Sequence, residues 1–307
     1  MNSQVKKDAE TMRNAMKGIG TDEKALIEIA AKRTHKDRMK IRHEYKSMFG
    51  RDLLSDLESE LFGDFKNAML ALFTDPLEYD VDSIYKSIKG VGTDEDTLIE
   101  IFISRPNWYL NKIKIKYKEK YKNDLENDVI NVISGDFQKL IVSLLQSKRS
   151  TNQDPDKDKC QKIAKELYNA GEKELGTDEP VFNKIFALSS PHELIVISRE
   201  YHKLTGHLLT KAIDQEFSGD IKKLLKTVLY ALISPSEYFA SRIHEAVDGI
   251  GTNEKMLTRI LVTRAEIDLM KIKKYYKMLY DKDMVEDIKG DISGDYKDLL
   301  ISICDRA

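Results

Sequence analysis

Met16-Lys17-Gly18-Ile19-Gly20-Thr21-Asp22-Glu23 is the first of four copies of one short pattern. It returns as Ile88-Lys89-Gly90-Val91-Gly92-Thr93-Asp94-Glu95 and as Val247-Asp248-Gly249-Ile250-Gly251-Thr252-Asn253-Glu254. Between these lies Gly171-Glu172-Lys173-Glu174-Leu175-Gly176-Thr177-Asp178-Glu179, one residue longer ahead of its second glycine. A turn repeated four times predicts one structural unit repeated four times. After each threonine the apolar residues fall at helical spacing and in the same phase. They are Leu26/Ile29/Ala30, Leu98/Ile101/Phe102, Phe182/Ile185/Phe186 and Leu257/Ile260/Leu261.

Forty places beyond the second glycine stand Glu60, Val132, Glu216 and Asp291, three of them carboxylates, each followed shortly by Gly-Asp. Within the first repeat, Val5, Ala9, Met12 and Met16 mark a helix that stops at Gly18, where glycine permits a left-handed turn. Thr21 is expected to cap the next helix, with Asp22 and Glu23 in its first turn. Further helices are expected near residues 35–48, 51–60 and 64–73, giving five per repeat. Lys112-Ile113-Lys114-Ile115-Lys116-Tyr117-Lys118 alternates like a strand, but Leu110, Ile113, Tyr117 and Tyr121 are also at helical spacing. Its counterpart in the first repeat is helical, so helix is the reading. The fold class is therefore all-α. Repeats are expected at residues 5–75, 76–146, 159–234 and 235–305, with the polar, turn-rich stretch 147–158 as a linker.

Composition narrows the function. The 307 residues carry 50 basic and 52 acidic side chains, a net charge of −2, so bulk charge draws the chain neither to nucleic acid nor to an anionic membrane. Binding to anions must then come from local charge or a bound cation. Two cysteines, Cys160 and Cys304, make no disulfide framework and suit a reducing compartment. The first residues contain no apolar signal core, and no run of 18 apolar residues occurs. A cytoplasmic location is expected.

Three motifs fall to simpler readings. Gly18-x-Gly20 lacks the preceding strand and third glycine of a dinucleotide loop. Asp154-x-Asp156-x-Asp158 has Lys159 and Lys165 where an EF-hand loop needs glycine and glutamate. The six histidines form no metal pair, and no nucleophile stands with a base, so no enzymatic activity is expected. The glycine turns are different. A helix-helix turn leaves carbonyls without intrahelical partners. Three of them, with the carboxylate forty places on, would make an oxygen cage with positions left open. Calcium, which takes about six to eight oxygens, suits such a cage better than magnesium. The plainer reading, glycines as helix stops and acids as surface charges, stays open at this point.

With these residues in view the chain resembles the annexin family over nearly its whole length, the longer third turn included. The resemblance implies four five-helix repeats in a curved disc that docks on anionic phospholipid through Ca²⁺. It assigns the first site to the carbonyls of Met16, Gly18 and Gly20 with the Glu60 carboxylate. The third takes Gly171, Glu174 and Gly176 with Glu216, and the fourth Val247, Gly249 and Gly251 with Asp291. The second keeps Ile88, Gly90 and Gly92 but has Val132 for its acid, which puts that site in doubt. A weaker accessory site would fall at Thr21 and Glu23, and a polar channel at Asp80, Arg105, Arg259 and Asp268, with Ser83 at one acidic channel position. Leu175 stands where some relatives carry an aromatic tip. The lone tryptophan, Trp108, maps away from the membrane face, and no tail for an EF-hand partner is expected.

The function expected is reversible, calcium-dependent membrane binding with a scaffolding or organising role, cytoplasmic until calcium rises. The other reading is a scaffold for cytoskeleton or polyanions that uses the lysine-rich helices Lys112–Lys122 and Lys271–Lys277.

Overall fold

The computed structural model describes residues 3–90, 92–173, 175–249 and 251–306. Among these the regular structure is entirely helical, twenty helices in four sets of five. The first set is α1 (Ser3–Ala15), α2 (Glu23–Lys32), α3 (His35–Phe49), α4 (Leu53–Glu60) and α5 (Gly63–Phe73). The second is α6 (Pro76–Ile88), α7 (Glu95–Ser104), α8 (Asn107–Tyr121), α9 (Leu125–Ile130) and α10 (Gly135–Leu145). The third is α11 (Lys157–Ala170), α12 (Glu179–Leu188), α13 (Pro191–Thr205), α14 (Leu209–Glu216) and α15 (Gly219–Ile233). The fourth is α16 (Pro235–Val247), α17 (Glu254–Arg264), α18 (Leu269–Tyr280), α19 (Met284–Asp291) and α20 (Gly294–Arg306). The lysine-isoleucine alternation lies inside α8, where Leu110, Ile113 and Tyr117 are buried and the lysines are carried on the outside.

The apolar stripe after each threonine is core. Its twelve members in α2, α7, α12 and α17 are all buried. Burying a leucine or phenylalanine side chain contributes about 1.5–3 kcal/mol, so these second helices are held by packing more than by propensity. A tyrosine of each third helix is wholly buried: Tyr45, Tyr117, Tyr201 and Tyr276. Its hydroxyl needs an acceptor. In three repeats an aspartate of the fourth helix provides one: Tyr45 donates to Asp56 at 2.6 Å, and Tyr117 to Asp128 and Tyr276 to Asp287 at 2.8 Å. The third repeat has Ala212 at that place, and Tyr201 donates to Glu172 of the turn after α11 instead.

The chain forms two compact units. One comprises the described residues up to Tyr79 together with those from Phe239 onward. Within it α2 packs on α20 and α17 on α5. The other runs from Asp80 to Tyr238, and within it α7 packs on α15 and α12 on α10. Each unit thus joins two repeats reciprocally, the second helix of one against the fifth helix of the other. Within a repeat, an arginine at the end of the second helix ties it to the first helix. Arg33 donates to Asp8 at 2.6 and 2.9 Å, and Arg105 donates to Asp80 at 2.7 and 2.9 Å. In the fourth repeat Phe239 replaces that aspartate, and Arg264 lies over its ring at 4.5 Å while donating to Asp268.

The segment between α10 and α11 is pinned. Arg149 donates to the carbonyls of Phe186 and Ser189, and its own carbonyl accepts from Asn107. Burial pushes the Arg149 guanidinium down to about 10. Helix α11 starts at Lys157, capped by Asp156, so the last two residues of the stretch read as linker are helical.

Candidate functional site

Each pattern turn is closed by one backbone hydrogen bond. The amide of the residue after the threonine donates to a carbonyl at the end of the preceding helix. The pairs are Asp22 to Ala15 at 2.9 Å, Asp94 to Ser87 at 2.9 Å, Asp178 to Ala170 at 2.7 Å and Asn253 to Ala246 at 2.8 Å. The clasp spans the extra residue of the third turn without changing its ends. Inside it the second glycine has φ of 86°, 82°, 94° and 86° at Gly20, Gly92, Gly176 and Gly251, the left-handed region where a side chain is strained. The same residues have open space where a Cβ would stand.

The carbonyls of Met16, Gly18, Gly20, Ile88, Gly90, Gly92, Gly171, Gly176, Val247, Gly249 and Gly251 accept no hydrogen bond among the described residues. Met16, Ile88 and Gly171 are buried, Val247 is half-buried, and the other glycines are exposed. Free carbonyl oxygens beside an acid are hard donors of the kind calcium prefers. Among the described residues no group of three or more histidine, cysteine or carboxylate side chains could hold a metal. A donor set dominated by backbone oxygen is consistent with that. Glu174 lies outside the described residues.

The acids arrive at the turns through the threonine. Thr177 donates from Oγ1 to the Glu216 carboxylate at 2.8 Å and approaches its carbonyl at 3.4 Å. Thr252 donates to the Asp291 carboxylate and lies 3.3 Å from its carbonyl. Glu216 also lies against Gly171, where an added Cβ would stand 3.3 Å from its Cγ. In the first repeat Glu23 and Glu60 line a common cavity. In the second, Thr93 reaches the Val132 carbonyl at 3.3 Å, so the two turns dock there without a carboxylate. Helix α9 correspondingly ends at Ile130, whereas α4, α14 and α19 end on Glu60, Glu216 and Asp291 themselves. Asp128 is committed elsewhere, accepting from Tyr117 and Asn123 and pairing with Lys89 at 3.5 Å.

These bonds correct one expectation. The cap of α2 is Asp22, whose carboxylate accepts from the Ala25 amide at 3.0 Å. Asp94 and Asn253 cap α7 and α17 in the same way, and Asp178 occupies the cap position of α12 without a side-chain bond. In the third and fourth repeats the threonine is occupied by a partner about forty residues away, which short-range capping rules cannot show. Of the accessory pair, Thr21 is half-buried and Glu23 opens α2.

The two units differ electrically. A cavity of about 430 Å³ lies between the first and fourth repeats and is bordered by Glu23, Glu60, Asp64, Glu254, Asp291 and Asp295. In the unit of the second and third repeats, two lysines pair with acids near the same turns, one of them (Asp136) the counterpart of Asp64 and the other (Asp96) standing where the first and fourth repeats have Lys24 and Lys255. Lys139 pairs with Asp136 at 2.9 Å, and Lys223 with Asp96 at 2.7 Å. The Glu95 carboxyl is held above its ordinary value by burial and by Asp220. The first and fourth repeats have Asn67 and Asp298 where those lysines stand. Asn67 only touches Asp64, at 3.4 Å.

The fold and its turns define a class: four-repeat helical proteins in which clasped glycine turns meet a distant acid. The family model described as Annexin matches residues 7–72, 79–144, 162–228 and 238–303, and the chain belongs to that family. It is 42% identical over 298 residues to annexin A11 of Homo sapiens, covering 97% of this chain and 59% of that one. This chain therefore spans about three-fifths of that relative's length. The solved structure of annexin III is similar with a TM-score of 0.95 at 38% identity, covering 98% of this chain and 93% of that one. A calcium-bound annexin (Sm)1 gives 0.86 at 32%, covering 98% and 90%.

Proposed function

We propose that this protein binds anionic phospholipid reversibly when calcium rises, through the first, third and fourth turns, and organises the membrane it covers. The observation that carries the reading is the threonine bond that holds Glu216 and Asp291 against turns whose carbonyls accept no hydrogen bond among the described residues. In the third turn those carbonyls belong to Gly171 and Gly176, with Glu174 as the family's third donor; in the fourth they belong to Val247, Gly249 and Gly251. Glu60 with Met16, Gly18 and Gly20 makes the first. Bound Ca²⁺ would supply the positive charge that bridges these oxygens to lipid phosphate oxygens. The second glycines leave open space where a side chain would stand, and the clasp fixes both ends of each turn. A chain of net charge −2 has no bulk attraction for an anionic leaflet, so docking depends on the cation. Several weak bridges on one chain add by effective concentration, which makes binding steep in calcium.

Liposome co-sedimentation across calcium and anionic lipid content tests this. Glu60→Gln, Glu216→Gln and Asp291→Asn together should raise the calcium requirement without loss of helix content. Binding unchanged in chelator, or a triple variant with an unchanged requirement, would overturn the reading. The cytoskeletal or polyanion reading draws less support, because several of its lysines are engaged locally: Lys114 with the Leu145 carbonyl, Lys120 with Asp82, Lys273 with the Cys304 carbonyl.

A further inference from the structure

We propose that Phe62 is an apolar anchor that enters the interfacial layer of the bilayer once calcium is bound, an inference that rests on the membrane reading above. The position is serine in the other three repeats, Ser134, Ser218 and Ser293, and phenylalanine only in the first. Ser134 and Ser218 make no side-chain cap bond to the helix they precede, so helix capping explains neither residue type. The core beside Phe62 is already filled by its neighbours Leu61 and Phe65, both buried. Phe62 itself is 79% exposed.

A lone exposed apolar residue is ordinary on a soluble protein. Phe62 differs in its surroundings. It stands two residues after Glu60 and borders the same cavity as Glu23, Glu60, Asp64, Glu254, Asp291 and Asp295. In the same repeat Ile19 is wholly exposed between Gly18 and Gly20. Apolar side chains therefore come from both turns that contribute to the first site, the aromatic one among carboxylates. Those carboxylates fix the occupant. Both a second copy and an anionic lipid surface need calcium between, but a second copy brings carboxylates that its own ion already occupies, whereas lipid brings phosphate oxygens for the positions the ion leaves open. Aromatic rings concentrate at the headgroup level of bilayers, where an apolar face and a wet surrounding coexist. The acids also make the anchor conditional, since without calcium they repel the surface that Phe62 would enter.

The test uses the full chain with Trp108→Phe and Phe62→Trp, which leaves one tryptophan at the proposed anchor. Vesicles of phosphatidylcholine and phosphatidylserine, with or without bromine on the upper acyl chain, serve as the probe. Calcium should shift the emission to the blue and bring bromine quenching, and chelator should reverse both. Phe62→Ser should still co-sediment in calcium but with vesicle affinity lowered about tenfold. Unshifted, unquenched emission from a protein that does co-sediment would overturn the anchor and leave the membrane reading standing. A blue shift without vesicles, accompanied by dimers in sedimentation velocity, would overturn it in favour of a second copy. Failure of the unsubstituted protein to co-sediment would sink both.

Discussion

Val132→Glu should create a calcium site in the second repeat. The turn there is already built: its clasp runs from Asp94 to Ser87, Gly92 is left-handed, and the carbonyls of Ile88, Gly90 and Gly92 accept no hydrogen bond among the described residues. The backbone to which the acid would attach is also in place, because Thr93 lies 3.3 Å from the Val132 carbonyl, as Thr252 lies from that of Asp291. Val132 is exposed, so the substitution should cost under about 0.5 kcal/mol without calcium, part of it from an anion at a helix C-terminus. The nearby Lys89 is already paired with Asp128 and should compete weakly for the new carboxylate. If calcium stands about tenfold above the dissociation constant of the new site, occupancy contributes about 1.4 kcal/mol. For a chain of this size that is a rise of roughly 2 °C in melting temperature. The variant should therefore melt at or slightly below the parent in chelator and above it in calcium. Calorimetry with anionic vesicles should count one more ion per chain, and Val132→Gln, which keeps the shape without the charge, should add none. Equal stoichiometry in parent and variant, both folded, would refute the reasoning, as would a gain with glutamine.

Gly171→Ala should weaken the third site, because the new Cβ would stand 3.3 Å from both Glu216 Cγ and the buried Phe182 ring and push the carboxylate side chain off the turn, with some loss of stability from the core contact; ion stoichiometry by calorimetry, alongside a melting curve, checks it. Asn67→Lys with Asp298→Lys would give the first and fourth repeats the cations that the second and third possess. Each charge near the cavity acids is worth about 1 kcal/mol, so the calcium needed for co-sedimentation should rise several-fold, and an unchanged requirement would refute the electrostatic argument. Asp56→Asn should cost about 1–3 kcal/mol in urea unfolding at neutral pH, since it strips charge from a buried group that accepts from Tyr45 and Arg51. Hydrogen bonding from Arg51 holds the Asp56 carboxyl below its ordinary value against burial. Its contribution is therefore full above the unfolded carboxylate value of about 3.9 and is lost as pH falls through the lower native value. The variant's stability should accordingly change less between pH 7 and acid than the parent's.

What the sequence conveys about this fold depends on the range of the signal. Helix type is legible because burial repeats every three or four residues and because four copies vote together. That vote places Lys112–Lys118 in α8 despite its strand-like alternation. The acid forty places from each turn is legible only as a coincidence of spacing. Its physical reason, a threonine hydroxyl reaching across to the end of the fourth helix, joins residues that no local window contains. The same limit bears on the cap: threonine and aspartate are both good caps, and in the third and fourth repeats the threonine is taken by a partner that no local window contains. Charge is harder still. Asn67 and Asp298 look like ordinary surface residues until Lys139 and Lys223 are seen holding acids at the equivalent places. Reciprocal packing of second helices on fifth helices brings the acids of two repeats to one cavity, so the charge of a turn is set by its partner repeat as well as its own. A repeat read alone therefore yields its donors, while how strongly those donors draw a cation is a property of the pair.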